Sequence, residues 1–260
     1  MSYDANRKYY ETAGVAEYYG RDTTLWQAEE VIFSSLRDEI RDRPILEVGV
    51  GAGRTTPYLR VISKDYIGID HSATMIDLCR SRNRDATLLV ADARCMTMFG
   101  NEQFAAVFWC FNGIDEVDPL DRNLILKEVN RTLEKNGSFI FSSHNLDWGR
   151  RPLFSSGRCS LLIDPIAFLK ELSIRLRVYA TDLLTRLLRR VHRNGWAVIL
   201  EYDRLTGMVL PTYYVSKEAQ TQQLLDAGFW GVQAVSIEGR PVDGESRLKD
   251  HSLYYVARKR

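Results

Sequence analysis

The stretch that most limits what this chain can fold into is ILEVGVGAGRTT, residues 45 to 56. The apolar run Ile45-Leu46-Glu47-Val48 stops at Gly49. Glycines then alternate at 49, 51 and 53 ahead of a polar segment with two threonines. This pattern predicts a buried strand, a tight turn and a helix N-terminus. Glycine lacks a Cβ and tolerates positive φ, so a ligand can lie against bare backbone at such a turn. The helix start adds unpaired N–H groups and a partial positive charge. With 17 glycines in 260 residues, the spacing alone is weak evidence and the flanks must decide. Glu47 sits two residues before the first glycine. Asp70 ends the next apolar run, YIGID (66–70), and Asp92-Ala93 ends a third, LLVADA (88–93). Each acidic residue falls where a parallel strand delivers it to the carboxyl edge of a sheet, where open α/β sheets bind ligands.

At these residues the chain resembles the class I S-adenosylmethionine-dependent methyltransferases of the small-molecule type. The resemblance covers about residues 40 to 145 well and 213 to 258 in outline. The dinucleotide fingerprint GxGxxG fits less well, because Arg54 stands where its third glycine belongs and would hinder close helix–strand packing. The resemblance implies an α/β, Rossmann-like fold with a mostly parallel seven-stranded sheet, whose antiparallel last strand inserts between strands five and six. It also implies S-adenosylmethionine as cofactor and S-adenosylhomocysteine as product. Glu47, Gly49, Gly51 and Gly53 would then surround the methionine part. Asp70 would accept from the ribose hydroxyls, a carboxylate being acceptor-only. His71 and Met75 would flank the adenine, Asp92 would receive its amino group, and Ala93 would offer its backbone N–H. Trp109, Cys110 and Phe111 would end a strand beneath the sulfonium. The plainer readings are a turn cap for Glu47 and a helix entry for Asp92.

The rest of the chain supplies matching elements. Residues 1–42 read as an aromatic-rich helical segment, with Leu25, Val31, Ile32, Leu36 and Ile40 on one face. In the resembling family this segment closes over the site, which makes Tyr18, Tyr19 and Trp26 candidate lid contacts. Helices are expected over 54–63, over 73–83 with Ser72 as N-cap, and over about 119–134 behind Pro119, ended by Asn136-Gly137. FAAVFWCF (104–111) reads as a central strand covered on both faces. SFIFSS (138–143) delivers His144 and Asn145 to the carboxyl edge. Helix 216–228, strand 229–237 and SLYYVARK (252–259) complete the core, so 1–145 and 214–260 form one domain. Strands alternating with helices imply a parallel sheet with right-handed crossovers.

Segment 146–213 departs from the family pattern and is too long for a bare loop. Asp164-Pro165 is expected to cap a helix to about Tyr179. Thr181 or Asp182 begins another to about His192, with Arg186, Arg189, Arg190 and Arg193 on its polar face. AVILEYD (197–203) and MVLPTYYV (208–215) read as a hairpin, Pro211 marking an edge strand. This cap insertion is expected to roof the acceptor pocket. A homodimer interface or a basic helix on an acidic partner or membrane surface are its rival roles. A solvated arginine face is the plainest reading.

Methyl transfer requires a held nucleophile, excluded water and, for a hydroxyl, a base. His144 is the first candidate base, because histidine titrates near neutrality. Asn112, Asp115 and Glu116 follow strand four, and Tyr213 and Tyr214 lie where the insertion rejoins the core. These, with Tyr18 and Tyr19, are the candidate acceptor contacts. Amino-methylating enzymes acting on nucleobases or glutamine often carry [DN]PPY after strand four, where this chain has FNGI (111–114). Net charge is +1, so nothing in the composition argues for nucleic acid. The expected acceptor is a small molecule: a sugar, a nucleotide-linked sugar or a secondary metabolite, methylated on oxygen or nitrogen. The four cysteines (79, 95, 110, 159) show no CxxC spacing, so neither a zinc site nor a disulfide framework is expected, and a cytoplasmic location is. No segment reads as a membrane span. A cofactor-binding scaffold of the same fold without activity, and a nicotinamide-dependent oxidoreductase, are the rival functions.

Overall fold

Side chains alternate across a strand, so a strand buried on both faces feeds two cores. In β1 (Ile45–Val48), Leu46 and Val48 join one apolar cluster and Ile45 the other. In β4 (Phe104–Trp109), Val107 and Trp109 face one way, Ala106 and Phe108 the other, and every residue is buried. The computed structural model describes residues 8–12, 14–148, 173, 176–177, 180, 194–203, 205–243 and 250–260. Between the strands run α1 (Val15–Tyr19), α2 (Gln27–Ile40), α3 (Thr56–Ile62), α4 (Ala73–Arg82), α5 (Pro119–Thr132) and α6 (Lys217–Asp226). Helices α2, α3 and α4 cover one face; α5 and α6 cover the other.

The sheet runs β3 (Thr87–Val90), β2 (Tyr66–Asp70), β1, β4, β5 (Leu133–Asn145), all parallel. β9 (Ser252–Lys259) then lies antiparallel between β5 and β8 (Phe229–Val235). This is the expected seven-stranded core, with the last strand inserted. The hairpin also forms, as β6 (Trp196–Tyr202) and β7 (Val209–Val215), and extends the sheet to nine strands. β7 meets β5 only at Tyr214 and Val215, so Pro211 lies on a stretch paired with β6 alone.

Several boundaries shift for local reasons. The 119–134 helix ends at Thr132, and β5 starts at Leu133, ahead of Asn136, which adopts φ +63°. On α5 the buried positions are Arg122, Ile125, Leu126 and Val129, whereas Leu124 is exposed. On α2 Val31 is exposed, and Ala28 and Phe33 are buried with Ile32, Leu36 and Ile40. Ser72, Asp118 and Ser216 cap α4, α5 and α6 as side-chain acceptors. Of the helix expected from Asp164, only Ser173, Leu176 and Arg177 are described, each helical. The second insertion helix and its arginines lie outside the described residues. Among the described residues no helix is long and apolar enough to cross a membrane.

Candidate active site

The carboxyl ends of β1, β2 and β4 meet at one cavity of ≈ 500 Å³. The glycine turn forms its floor. Gly49, Gly51 and Gly53 all have positive φ (65°, 52° and 84°), but for different spatial reasons. A Cβ on Gly49 would lie 2.6 Å from Trp109 Nε1, and one on Gly53 2.7 Å from Asn83 Nδ2 and 2.8 Å from Cys79 Sγ. A Cβ on Gly51 would meet nothing within 4 Å, because Gly51 faces the cavity. Two glycines therefore admit neighbouring side chains, and the third leaves room for a ligand.

Asp70, at the end of β2, accepts from Gly51 N–H and Ser72 N–H, both at 2.9 Å. It lines the cavity with its neighbour His71 and with Met75 of α4. Burial pushes its carboxyl up, offset by His71 and by those backbone N–H groups. Glu47 is placed differently. It is buried beneath the turn and accepts from the hydroxyls of Thr55, Thr56 and Tyr66, so it braces the turn from below and does not line the cavity. Burial likewise raises its carboxyl, offset by those hydroxyls.

Asp92 is turned away. Its carboxylate takes the Nε and Nη2 of Arg94 at 2.7–3.1 Å, and Arg94 also reaches Asp121. Ala93 remains, lining a smaller adjoining recess with Ala91, Ile69 and His71. Trp109, Cys110 and Phe111 all line the main cavity. Phe111 and Asn112 follow each other at φ 63° and 60°. Two consecutive non-glycine residues in the left-handed region carry strain of the kind that accumulates at functional sites.

The aromatic N-terminal segment reaches the cavity wall. Tyr18 and Tyr19 line it. Trp26 does not; it packs on Phe111, with ring centroids 5.2 Å apart. Tyr10 lines the cavity and donates from its hydroxyl to Glu116. Arg54 also belongs to the wall, bridging to buried Glu29 and lying over the Phe111 ring. Glu29 in turn accepts from Trp26 N–H and Tyr254 hydroxyl, which fixes the start of α2 against the turn. The hairpin reaches the same segment: Tyr9 donates to Asp203 at 3.0 Å, and Met208 and Leu210 pack against the cluster of Tyr9, Val15 and Met75.

Of the residues expected to act on or contact the acceptor, His144, Asn112, Asp115, Tyr213 and Tyr214 form a separate network behind the cavity. His144 Nδ1 lies 2.8 Å from Asp115 Oδ2, and Nε2 lies 3.3 Å from Asn112 Nδ2. An amide N–H facing Nε2 makes that nitrogen the acceptor and leaves the proton on Nδ1. Burial alone would lower the His144 pKa, but the Asp115 hydrogen bond and charge outweigh it and raise it. Asp115 is fully buried and pairs with Arg122 at 2.7 Å. Tyr213 lies beneath the Arg122 guanidinium, and Tyr214 stacks on His144 and donates to Glu201. None of His144, Asn112, Asp115, Tyr213 or Tyr214 lines the cavity. Their network instead anchors the 3-10 turn Gly113–Glu116, from which Glu116 reaches the cavity. Tyr10 was visible in the sequence only as one of many N-terminal tyrosines.

An open α/β sheet with a glycine turn and an acidic end on the next strand is an architecture that can hold a nucleoside. Residues 45–137 match the family model described as Methyltransferase domain. No curated protein matches the sequence. Among solved structures, a SAM-dependent methyltransferase from Methanosarcina mazei is 18% identical, TM-score 0.57, covering 86% of this chain and 96% of its own. The glycopeptide N-methyltransferase MtfA, complexed with S-adenosyl-L-methionine, is 17% identical, TM-score 0.57, covering 92% and 96%. Streptomyces venezuelae DesVI is 17% identical, TM-score 0.54, covering 94% and 95%. Residues 45–137 thus match a methyltransferase domain, within a fold shared with solved SAM-dependent methyltransferases.

Proposed function

We propose that this protein transfers a methyl group from S-adenosylmethionine to an oxygen or nitrogen of a small molecule, such as a sugar, a nucleotide-linked sugar or a secondary metabolite. The observation that carries the reading is the open face of Gly51 beside the Asp70 carboxylate: bare backbone and an acceptor-only group, side by side in one cavity. That pair fits an adenosyl group, whose vicinal diol needs acceptors. When bound, the cofactor supplies a methyl carbon activated by its sulfonium, whose sulfur keeps the bonding electrons as the acceptor bond forms.

The chain's own residues hold, orient and enclose. Asp70 and the turn fix the ribose end, while His71, Met75 and Ala93 bound the adenine side. Tyr10, Tyr18 and Tyr19 exclude water over the cavity. Orientation of this kind can lower a barrier by several kcal/mol. A cavity of ≈ 500 Å³ suits a small acceptor rather than a duplex or a folded protein surface. Free thiols at Cys79, Cys95 and Cys110 suit a reducing compartment. Titration calorimetry with S-adenosylhomocysteine, NAD and NADP tests the reading. Heat with the sulfur ligand alone is expected; binding of a nicotinamide nucleotide without any response to the sulfur ligand would reverse it.

A further inference from the structure

The cavity wall holds two carboxyls that cofactor binding leaves without a role, Asp22 and Glu116. Glu116 sits in its wall with the rings of Tyr10, Tyr18, Tyr19 and Phe111. We propose that the acceptor is a small-molecule amine, bound as its ammonium against Glu116 and these rings, and that Glu116 takes the ammonium proton. The proposal rests on the methyl-transfer reading above and narrows its acceptor.

Of the titratable groups near the cavity, His144, Asp70, Asp22, Tyr10, Tyr19 and Cys110 do not fit this role. His144 lies outside the wall, with its ring nitrogens facing Asp115 and Asn112. Asp70 already accepts two backbone N–H groups, and Asp22 is held low by Thr24 N–H. Burial pushes Tyr19 up to about 12, and Tyr10 and Cys110 well above their ordinary values, so these remain protonated. Burial pushes Glu116 up to about 7, offset by the Tyr10 hydroxyl and His144, while Asp70 and Asp115 add to the rise. The Tyr19 hydroxyl also lies within the field of Glu116.

Acidity then selects the acceptor. Ordinary amines ionise at roughly 8 to 10, within about three powers of ten of such a carboxyl. A hydroxyl as weakly acidic as water, at roughly 16, lies about nine powers of ten away. Tyrosine faces attract a cation and a carboxylate pairs with it. In the step, the N–H bond breaks, nitrogen keeps its electron pair and an O–H bond forms on Glu116. The freed pair is the nucleophile toward the methyl carbon. The proton passes from Glu116 to water when product leaves.

The test uses the full chain saturated with S-adenosylhomocysteine, titrated with phenethylammonium and, separately, with 2-phenylethanol. The expected result is at least a tenfold preference for the ammonium, rising from pH 6 to pH 8 as Glu116 ionises. Glu116→Gln should abolish both preference and pH slope, with S-adenosylhomocysteine affinity within twofold of wild type. Tyr10→Phe keeps the carboxyl but removes the hydrogen bond that lowers its pKa, so the rise should move to higher pH. Equal affinity for amine and alcohol would overturn the proposal, as would a preference that survives Glu116→Gln. A tenfold loss of S-adenosylhomocysteine affinity in Glu116→Gln would also overturn it, by assigning Glu116 to the cofactor. Failure of wild type to bind S-adenosylhomocysteine would remove the methyl-transfer reading itself, and this proposal with it.

Discussion

Arg122→Met breaks a fully buried ion pair. Arg122 and Asp115 are both fully buried, and pair at 2.7 Å. Asp115 also accepts from Ser143 Oγ, His144 N and His144 Nδ1, at 2.7, 2.6 and 2.8 Å. Arg122 further donates to Ile114 O, Gln220 and Gln223. Methionine fills much of the volume but strands the carboxylate, and removing one partner of such a pair costs about 3–5 kcal/mol. Unfolding entropy of roughly 2.1 cal/mol/K per residue over 260 residues gives roughly 0.5 kcal/mol/K, so the melting temperature should fall by about 5–9 °C. The double variant Arg122→Met/Asp115→Asn removes the stranded charge and should recover most of that loss. Differential scanning calorimetry with matched denaturant melts measures all three proteins. If Arg122→Met costs under about 1 kcal/mol, or the double variant is no better than the single, the pair does not anchor the turn that presents Glu116.

Gly51→Ala should fold with a cost of roughly 1–2 kcal/mol from its left-handed backbone, yet weaken S-adenosylhomocysteine binding, since its Cβ points into the cavity. Gly53→Ala should lose more stability, because its Cβ meets Cys79 and Asn83; a thermal melt beside a ligand titration separates the two effects. Glu116 is raised from its ordinary 4.5 to about 7, so the fold holds its proton and is favoured at low pH. That contribution is complete below about 4.5 and is lost as pH rises through about 7, about 3 kcal/mol in all. Glu116→Gln should therefore flatten the fall in unfolding free energy between pH 5 and pH 8; an unchanged profile contradicts the burial of that group. His144, also raised, acts in the same direction, so some slope should remain.

The sheet was legible because its signals are local: apolar runs, glycine stops and cap residues each report on their own neighbourhood. YIGID and LLVADA gave their strand ends, and FAAVFW (104–109) proved buried throughout, whereas Phe111 beyond it is exposed. What the pattern hid was decided by partners distant in sequence or by one residue next door. Asp92 is claimed by Arg94 two positions on, and Glu47 by hydroxyls of Thr55, Thr56 and Tyr66. Arg122 shares the buried face of Ile125, Leu126 and Val129, but a charged side chain gave no sign of burial until its partner Asp115 was seen. His144 ends its strand at the expected edge, yet the same Asp115 holds its ring behind the cavity. Glu116 stood in the sequence as one acid among several after strand four, and only the arrival of Tyr10 from the N-terminal segment distinguishes it.

The most direct test of the adenosyl cradle is the dissociation constant of S-adenosylhomocysteine for Asp70→Asn, with the fold checked by circular dichroism. Two hydrogen bonds to a charged acceptor are worth about 3–6 kcal/mol, so affinity should fall at least a hundredfold while the fold persists. An Asp70→Asn protein that binds S-adenosylhomocysteine as tightly as wild type would contradict the account.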